Sequence, residues 1–305
     1  MNERLALIDA VVYADLFDCA VTEEELWHYS RLPLSRSEFR ERIASDPALA
    51  GVLEKRDGLY CLAGREALFE RRAERRRQAR KLRARGRRVA RFLRHAPFVR
   101  GLLLTGSAAA DDAAPGADVD LLVVVRHGRL ATVFTLLGGL SRLVSRKLFC
   151  PNYYLSDAHL TLAGRGPYLA RELLQAVPLA GDTQALYEAN DWTRSLFPNA
   201  SAAAGSVSGG SFLQRVVERP LGGRLGDRLE RRLRSLALAR LAEHHRSWGA
   251  SVPRDVSDDF DAGIGLRFHG APTNQSLLAR YEERRREVAA RLGARRRRKA
   301  LRRQP

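Results

Sequence analysis

Two aspartates one residue apart, Asp118 and Asp120, open an apolar run, Leu121–Val125. On an extended chain residues i and i+2 share a face, so the two carboxylates converge while Val119 turns into the core. Carboxylates that close repel one another unless a cation, an arginine or solvent compensates. Hard oxygen ligands at this spacing suit Mg2+ (or Mn2+), which keeps part of its water shell and is completed by phosphate oxygens. Upstream, a second apolar run, Leu102–Leu104, ends in Thr105-Gly106-Ser107. Glycine allows backbone to approach a phosphate closely, and the Ser107 hydroxyl can reach a terminal phosphate. Ala108–Ala110 are helix formers, and a helix starting there would aim free N–H groups at an anion. Together these residues predict a site for a nucleoside triphosphate (NTP) and its divalent cation at neighbouring strand ends. The geometry suits in-line attack on the α-phosphate with release of pyrophosphate.

The surrounding pattern supplies the elements that must hold these residues. Phe98–Thr105 reads as a strand, followed by a short helix after Ser107, and Val119–Val125 as a second strand. Leu130–Ser145 predicts a helix and Leu148–Ser156 a third strand, which Pro151 should force to a sheet edge or into a bulge. Leu160–Leu162 suggests a further short strand. Pro167–Gln175 and Asp182–Trp192 read as helices, with Pro198-Asn199 as an exit. Residues 98–200 thus form one α+β unit, a mixed sheet with helices.

The Gly106-Ser107 turn, followed by Asp118-Val119-Asp120 ahead of an apolar strand, resembles the signature of the DNA polymerase β-like nucleotidyltransferase superfamily. The resemblance covers about residues 98–160 and implies a small mixed sheet with helices on one face. It implies that Asp118 and Asp120 are metal ligands with catalytic roles, and that Gly106 and Ser107 hold the triphosphate. The implied reaction moves a nucleoside monophosphate from an NTP to an acceptor. Many relatives carry an Arg shortly after the Gly-Ser, where this chain has Ala108–Ala110. The superfamily also usually places a third carboxylate on the next strand, where this chain has Asn152, which cannot take a proton; Asp157, just past that strand, would substitute in a shifted register. Either an unusual third ligand is used, or nucleotide binding survives without turnover. Arg146 and Lys147, before the third strand, are further candidates for the triphosphate, and Tyr153 or Tyr154 for stacking on a base. Glu172 either supports the site from a helix or lies on a solvated helix face.

Residues 1–63 form a separate unit. Apolar residues at helical spacing from Leu5 to Phe17, capping boxes at Thr22–Glu25 and Ser35–Glu38, and an Asp57-Gly58 turn between short apolar runs predict three helices and a hairpin. That order resembles the winged-helix domain, which implies a third helix (Arg36, Arg40, Arg42) and a wing (Lys55, Arg56) able to meet DNA, or a fold used only for packing. Residues 64–97 read as a connecting helix rich in arginine, with Leu68, Leu82, Val89 and Phe92 as a thin apolar stripe. It is either a track for nucleic-acid phosphates or a solvated linker. Residues 201–211, rich in Ala, Gly and Ser, read as a linker. Residues 212–305 read as a helical region with a basic tail, irregular over Ser251–Thr273.

The 305 residues carry a formal net charge of +18 and are 45% hydrophobic, enough for a core. The charge favours polyanions as partners, or reflects a genome that writes Arg wherever a surface charge is needed. Three scattered cysteines, no secretory leader and no membrane-length apolar run predict a cytoplasmic protein with reduced thiols. The main alternative to nucleotidyl transfer is a nucleic-acid-binding or regulatory protein whose nucleotidyltransferase-like domain is catalytically degenerate. Others are a modifying enzyme whose acceptor is a protein, and a structural role for the two aspartates. The acceptor, the base preference and the oligomeric state are not encoded in any motif.

Overall fold

The structure, a computed structural model, describes residues 2–145, 148–203, 205–207, 212–247, 254–267 and 271–301. The chain opens with two short helices, α1 (Glu3–Leu7) and α2 (Asp9–Asp15), broken at Ile8, where periodicity alone suggested one. Strand β1 (Val21–Thr22) leads into α3 (Glu23–His28), and α4 (Arg36–Ser45) follows. Both capping boxes form: Thr22 and Ser35 each accept the N–H three residues on, and Glu25 and Glu38 reach back. A hairpin, β2 (Leu53–Arg56) and β3 (Leu59–Leu62), closes the unit. Its two-residue turn has Asp57 and Gly58 at φ 50° and 76°. Positive φ at both positions gives the turn a twist that matches the strands. Strand β3 lies between β1 and β2 in a small antiparallel sheet.

Helix α5 (Ala67–Leu93) then crosses to the main sheet. Six strands make this sheet in the order β8-β7-β4-β5-β6-β9. They are β4 (Val99–Leu104), β5 (Asp120–Val125), β6 (Cys150–Ser156), β7 (Val177–Asp182), β8 (Ser206–Val207) and β9 (Gly265–Arg267). Strands β5 and β6 run parallel, joined by α7 (Leu130–Val144); the other pairs are antiparallel. The sheet is therefore mixed and the architecture α+β. Side chains alternate across it: Leu102, Leu104, Leu121 and Val123 pack on α5 and α7, and Leu103, Leu122 and Val124 pack on the opposite face. Burial on both faces explains why β4 and β5 are apolar at every position.

That opposite face is covered by α8 (Pro167–Gln175) and α9 (Gln184–Glu188), with α10 (Trp192–Leu196) beyond. Strand β7 was not evident in the sequence, because Pro178 and Gly181 interrupt it. Its Gly181 has φ 81°, and the register to β4 shifts midway. Leu160–Leu162 forms no strand; Leu162 is buried beside α8, and its N–H is satisfied by the Asn190 side chain, at 2.8 Å. The stretch read as irregular contains α13 (Arg254–Asp261) and β9, and the stretch read as a linker contributes β8.

Helices α11 (Phe212–Leu221) and α12 (Arg224–Ser247) are separated at Gly222-Gly223, and α12 packs along α7. Glu230 of α12 accepts from the N–H groups of Ala131 and Thr132, at 2.7 and 2.9 Å, capping α7 from outside. The last helix, α14 (Ala271–Leu301), returns to the beginning of the chain. Tyr281, Val288 and Leu292 complete the core of the N-terminal unit, and the buried Asp9 binds Arg31, Arg285 and the Tyr281 hydroxyl. Residues 1–63 and the C-terminal helix therefore share one core.

Helix α5 is no solvated linker. Leu68, Leu82 and Val89 are buried as expected, but Phe92 is 78% exposed. Gly86 lets the helix rest on the sheet: a methyl group there would stand 3.3 Å from Leu104 and 3.4 Å from Val119. No helix among the described residues is long and apolar enough to cross a membrane. None of Cys19, Cys61 and Cys150 is joined in a disulfide.

Candidate functional site

Strand β4 ends at Leu104, and the chain turns through Thr105 into α6 (Gly106–Ala109). Gly106 has φ 66°, and a methyl group on it would run into the Asp120 carboxylate. Two constraints thus require glycine here: the left-handed backbone, and the carboxylate packed against it. The Thr105 N–H donates to the Asp120 carbonyl at 3.0 Å, so turn and carboxylate meet at the first rung between β4 and β5. Helix α6 has only four residues, too few for the strong dipole expected after Ser107. Ser107 is half-buried and faces a cavity.

The α6 turn is held from behind by α5. Arg83 donates to the carbonyls of Ala108 and Ala109 at 2.8 and 2.7 Å, and Arg76 pairs with Asp111 at 2.8 Å. Arg75 pairs with Asp112 at 2.9 Å, and the buried Arg72 joins Glu25 to Asp112 at 2.6 and 3.6 Å. The inner arginines of the basic helix are therefore structural clamps that tie the turn to the N-terminal unit.

Asp120 opens β5, and Asp118 lies in the irregular stretch before it rather than on the strand. Val119 is fully buried, and both carboxylates line the same cavity of about 350 Å³ between α7, β6 and α12. Phe134, Tyr154, Leu233 and Leu241 form its apolar wall, with Arg142 and Arg240 among the polar residues.

Asn152 stands next to Asp120, as its sequence position suggested. Its Nδ2 donates to Asp120 Oδ1 at 2.6 Å. Strand pairing explains the aim of the side chain. Asp120 opposes Cys150 and Leu121 opposes Pro151, but Leu122 opposes Tyr153, so Asn152 is the extra residue of a bulge. Pro151 has no N–H for the ladder, and a bulge beside it turns the next side chain toward the site. Strand β6 is flanked on both sides, so the expected disruption takes the form of a bulge and not an edge. Of the two tyrosines, Tyr154 is buried in the core, and Tyr153 faces a small cavity beside Asn152.

Asp157 lies at the other end of β6. Its N–H donates to Val125 at 2.8 Å, and its carboxylate accepts the His127 N–H, also at 2.8 Å. The register that would bring it to Asp120 is not the one β6 adopts, so Asp157 is not part of the constellation. Arg146 and Lys147 lie outside the described residues.

The structure brings in a carboxylate that sequence reading left undecided. Glu172, on α8, accepts the Gly106 N–H at 2.9 Å and is half-buried. Asp120 shares its strand face with Leu122 and Val124, the face that α8 covers, and so Glu172 meets it across a cavity of about 110 Å³. The one sequence signal was an acid on the inner side of an amphipathic helix, i+4 from Tyr168. Burial, with Glu172 and Asp118 as nearby like charges, pushes Asp120 up to about 7, against the counteracting Asn152 hydrogen bond. Tyr168 is likewise pushed far above its ordinary value by burial and by Glu172.

This donor set fits a divalent cation. Asp118 and Asp120 line one cavity, and burial, with Glu172 and Asp118 as like charges, raises the affinity of Asp120 for a proton. Among the described residues no group of three or more His, Cys, Asp and Glu is arranged to hold a metal. A pair of carboxylates is what Mg2+ takes from a protein when phosphate and water supply the rest. No protein-family model matches the chain, and no curated protein or solved structure matches it either. The functional reading therefore stands on this geometry and on the motif.

Proposed function

We propose that the chain is a nucleotidyltransferase, moving a nucleoside monophosphate from an NTP to an acceptor with release of pyrophosphate. The observation that carries this reading is the contact between Gly106 and Asp120, which joins the phosphate-approach turn to the carboxylate pair. Asp118 and Asp120 hold Mg2+ or Mn2+, which supplies charge neutralisation and alignment of the phosphates when bound. Ser107 faces the phosphates, and Gly106, whose N–H is given to Glu172, keeps the turn free of a side chain there. Asn152 fixes the rotamer of Asp120 but cannot accept a proton. Glu172 supplies the third carboxylate, from a helix instead of the neighbouring strand. One cavity at Asp118 and Asp120 and another at Gly106 and Ser107 give room for two reactants. The helix–helix–strand–helix–helix–hairpin order of the N-terminal unit supports a winged-helix reading for residues 1–63.

Calorimetry of each NTP, with and without Mg2+, on the wild type and on the double variant Asp118→Ala/Asp120→Ala tests the proposal. Metal-dependent binding that disappears in the variant is expected. Equal binding by both proteins, or none by the wild type, overturns it.

A second reading is favoured by one observation. Arg77, Arg80, Lys81, Arg87, Arg88 and Arg91 are exposed along the outer face of α5 and form no ion pair among the described residues. Such a row fits the phosphates of a nucleic acid, with the sheet domain as a scaffold. The cations of the hairpin and α4 give less support, since Arg40 and Lys55 pair with Glu23, Arg42 with Glu3 and Arg56 with Glu70.

A further inference from the structure

A cavity of about 350 Å³ lies between the N-terminal unit, α5, the α6 turn and α8. That volume is within the range of small-molecule sites, ~300–1,000 Å³. Arg171 lines it, and its side chain is unusual. The residue is 4% exposed, and its Nε and Nη2 have no hydrogen-bond partner. It is surrounded by aromatic rings, with the guanidinium carbon 4.1 Å from the Tyr13 centroid, 4.7 Å from Tyr29 and 5.1 Å from Phe197.

The other charges in this cavity are already engaged. Arg72 and Arg75 are paired with Glu25 and Asp112, and Glu172 accepts the Gly106 N–H. Arg171 forms no ion pair among the described residues. Aromatic faces offset part of the cost of a buried cation. They do not satisfy its N–H groups, and a buried guanidinium without an acceptor is strongly disfavoured. The planar, forked donor array matches an oxyanion. Tyr13, Phe17, Tyr29 and Tyr168 supply flat walls around it.

We propose that this cavity binds a small molecule carrying one oxyanion group, a phosphate or a carboxylate, on a flat apolar body, and that Arg171 takes the oxyanion. Binding itself needs no transfer chemistry. The link to the reaction rests on the nucleotidyltransferase reading: Gly106, Ser107 and Glu172 line the same cavity, so its occupant lies against the phosphate-approach turn and the Glu172 carboxylate. The oxyanion has two sources, the phosphate tail of the nucleotide or an anionic acceptor.

The test uses phenyl phosphate and benzoate as probes, measured by calorimetry on the full chain. Wild type is compared with Arg171→Met, with Ala110→Trp, which fills the cavity from its rim, and with Asp120→Asn. At least one probe is expected to bind the wild type and Asp120→Asn, and to lose about tenfold or more in affinity in Arg171→Met and Ala110→Trp. Arg171→Lys should recover part of the loss. Displacement of the probe by Mg-ATP assigns the cavity to the nucleotide tail, and simultaneous binding assigns it to the acceptor. No binding of either probe to the wild type, or undiminished binding to Ala110→Trp, overturns the proposal. Ala110→Trp keeps the test decisive if Arg171→Met does not fold. Loss of NTP binding in Asp120→Asn with probe binding intact separates failure at the metal carboxylates from failure here.

Discussion

Gly106 and Asp120 are packed so closely that no side chain fits between the turn and the carboxylate. The relationship couples two elements at neighbouring strand ends: the glycine opens α6 just after β4, and the aspartate opens β5. A change at either residue is therefore felt by both halves of the candidate site.

Gly106→Ala tests this coupling. The alanine would sit at φ 66° and collide with Asp120. A positive φ on a residue with a Cβ costs ~1–3 kcal/mol, and displacement of the carboxylate adds to it. Gly116→Ala is the control, since Gly116 also has positive φ, 83°, but open space around it. Both variants should lose stability in urea denaturation. Only Gly106→Ala should also lose metal-dependent NTP binding.

How much of this was legible follows from which forces act locally. The hairpin at Asp57-Gly58, the two capping boxes and the apolar strands β4 and β5 depend on nearest neighbours, so residue type and spacing determine them. The bulge at Asn152 was foreseeable from Pro151, although its direction was not. Glu172 was legible only as one face of a helix, because its role depends on α8 packing across the sheet from Asp120. Strand β7 was hidden, since a strand containing Pro178 and Gly181 is held by its partner and not by its own propensity. The arginines of α5 misled in the same way: Arg72, Arg75, Arg76 and Arg83 read as solvent charges, but their carboxylate and carbonyl partners come from elsewhere in the chain.

Asp120 gives a pH signature. Its folded-state value, about 7, lies above the ordinary 3.8. Between those values the folded chain holds a proton that the unfolded chain has released, so stability from this group falls as pH rises. The limiting slope is about −1.4 kcal/mol per pH unit. Asp120→Asn should remove that slope and be more stable than wild type at pH 8. Mg2+ competes with the proton, so saturating metal should flatten the wild-type profile. Denaturant midpoints from pH 5 to 8, with and without Mg2+, measure this. A wild type and variant that run parallel would show that Asp120 does not titrate in this window.

Asn152→Asp replaces the donor at 2.6 Å from Asp120 with a third negative charge. Without metal the variant loses the hydrogen bond and gains repulsion, and should be destabilised by about 1–3 kcal/mol. With metal the same change adds a ligand and a proton acceptor. Mg2+ affinity should rise, and any transferase turnover should increase. Thermal unfolding across a Mg2+ titration separates the two effects: the variant should start below the wild type and gain more from metal. A variant that gains no more than the wild type would place the cation away from Asn152.

The outer face of α5 distinguishes the two functional readings. Arg77, Arg80, Lys81, Arg87 and Arg88 recur at helical spacing, so one helix side presents them along a continuous line. Each phosphate they neutralise releases about one counter-ion, and log affinity should fall with log salt at a slope near −0.9 per contact on duplex DNA, or about −0.7 on single strands. Replacing these five residues with alanine should weaken binding to a mixed-sequence RNA or DNA and flatten the slope by up to about five contacts' worth. The core should be little disturbed, because these side chains are exposed. NTP binding at Asp118 and Asp120 should be unchanged, since the clamps Arg72, Arg75 and Arg83 remain. If nucleic-acid binding is steep in the wild type, lost in the variant, and accompanied by no NTP binding in either, the scaffold reading replaces the enzyme. If the wild type shows NTP binding and no salt-dependent binding of nucleic acid, the charge on α5 serves folding and solubility, and the acceptor is not a nucleic acid held by that face.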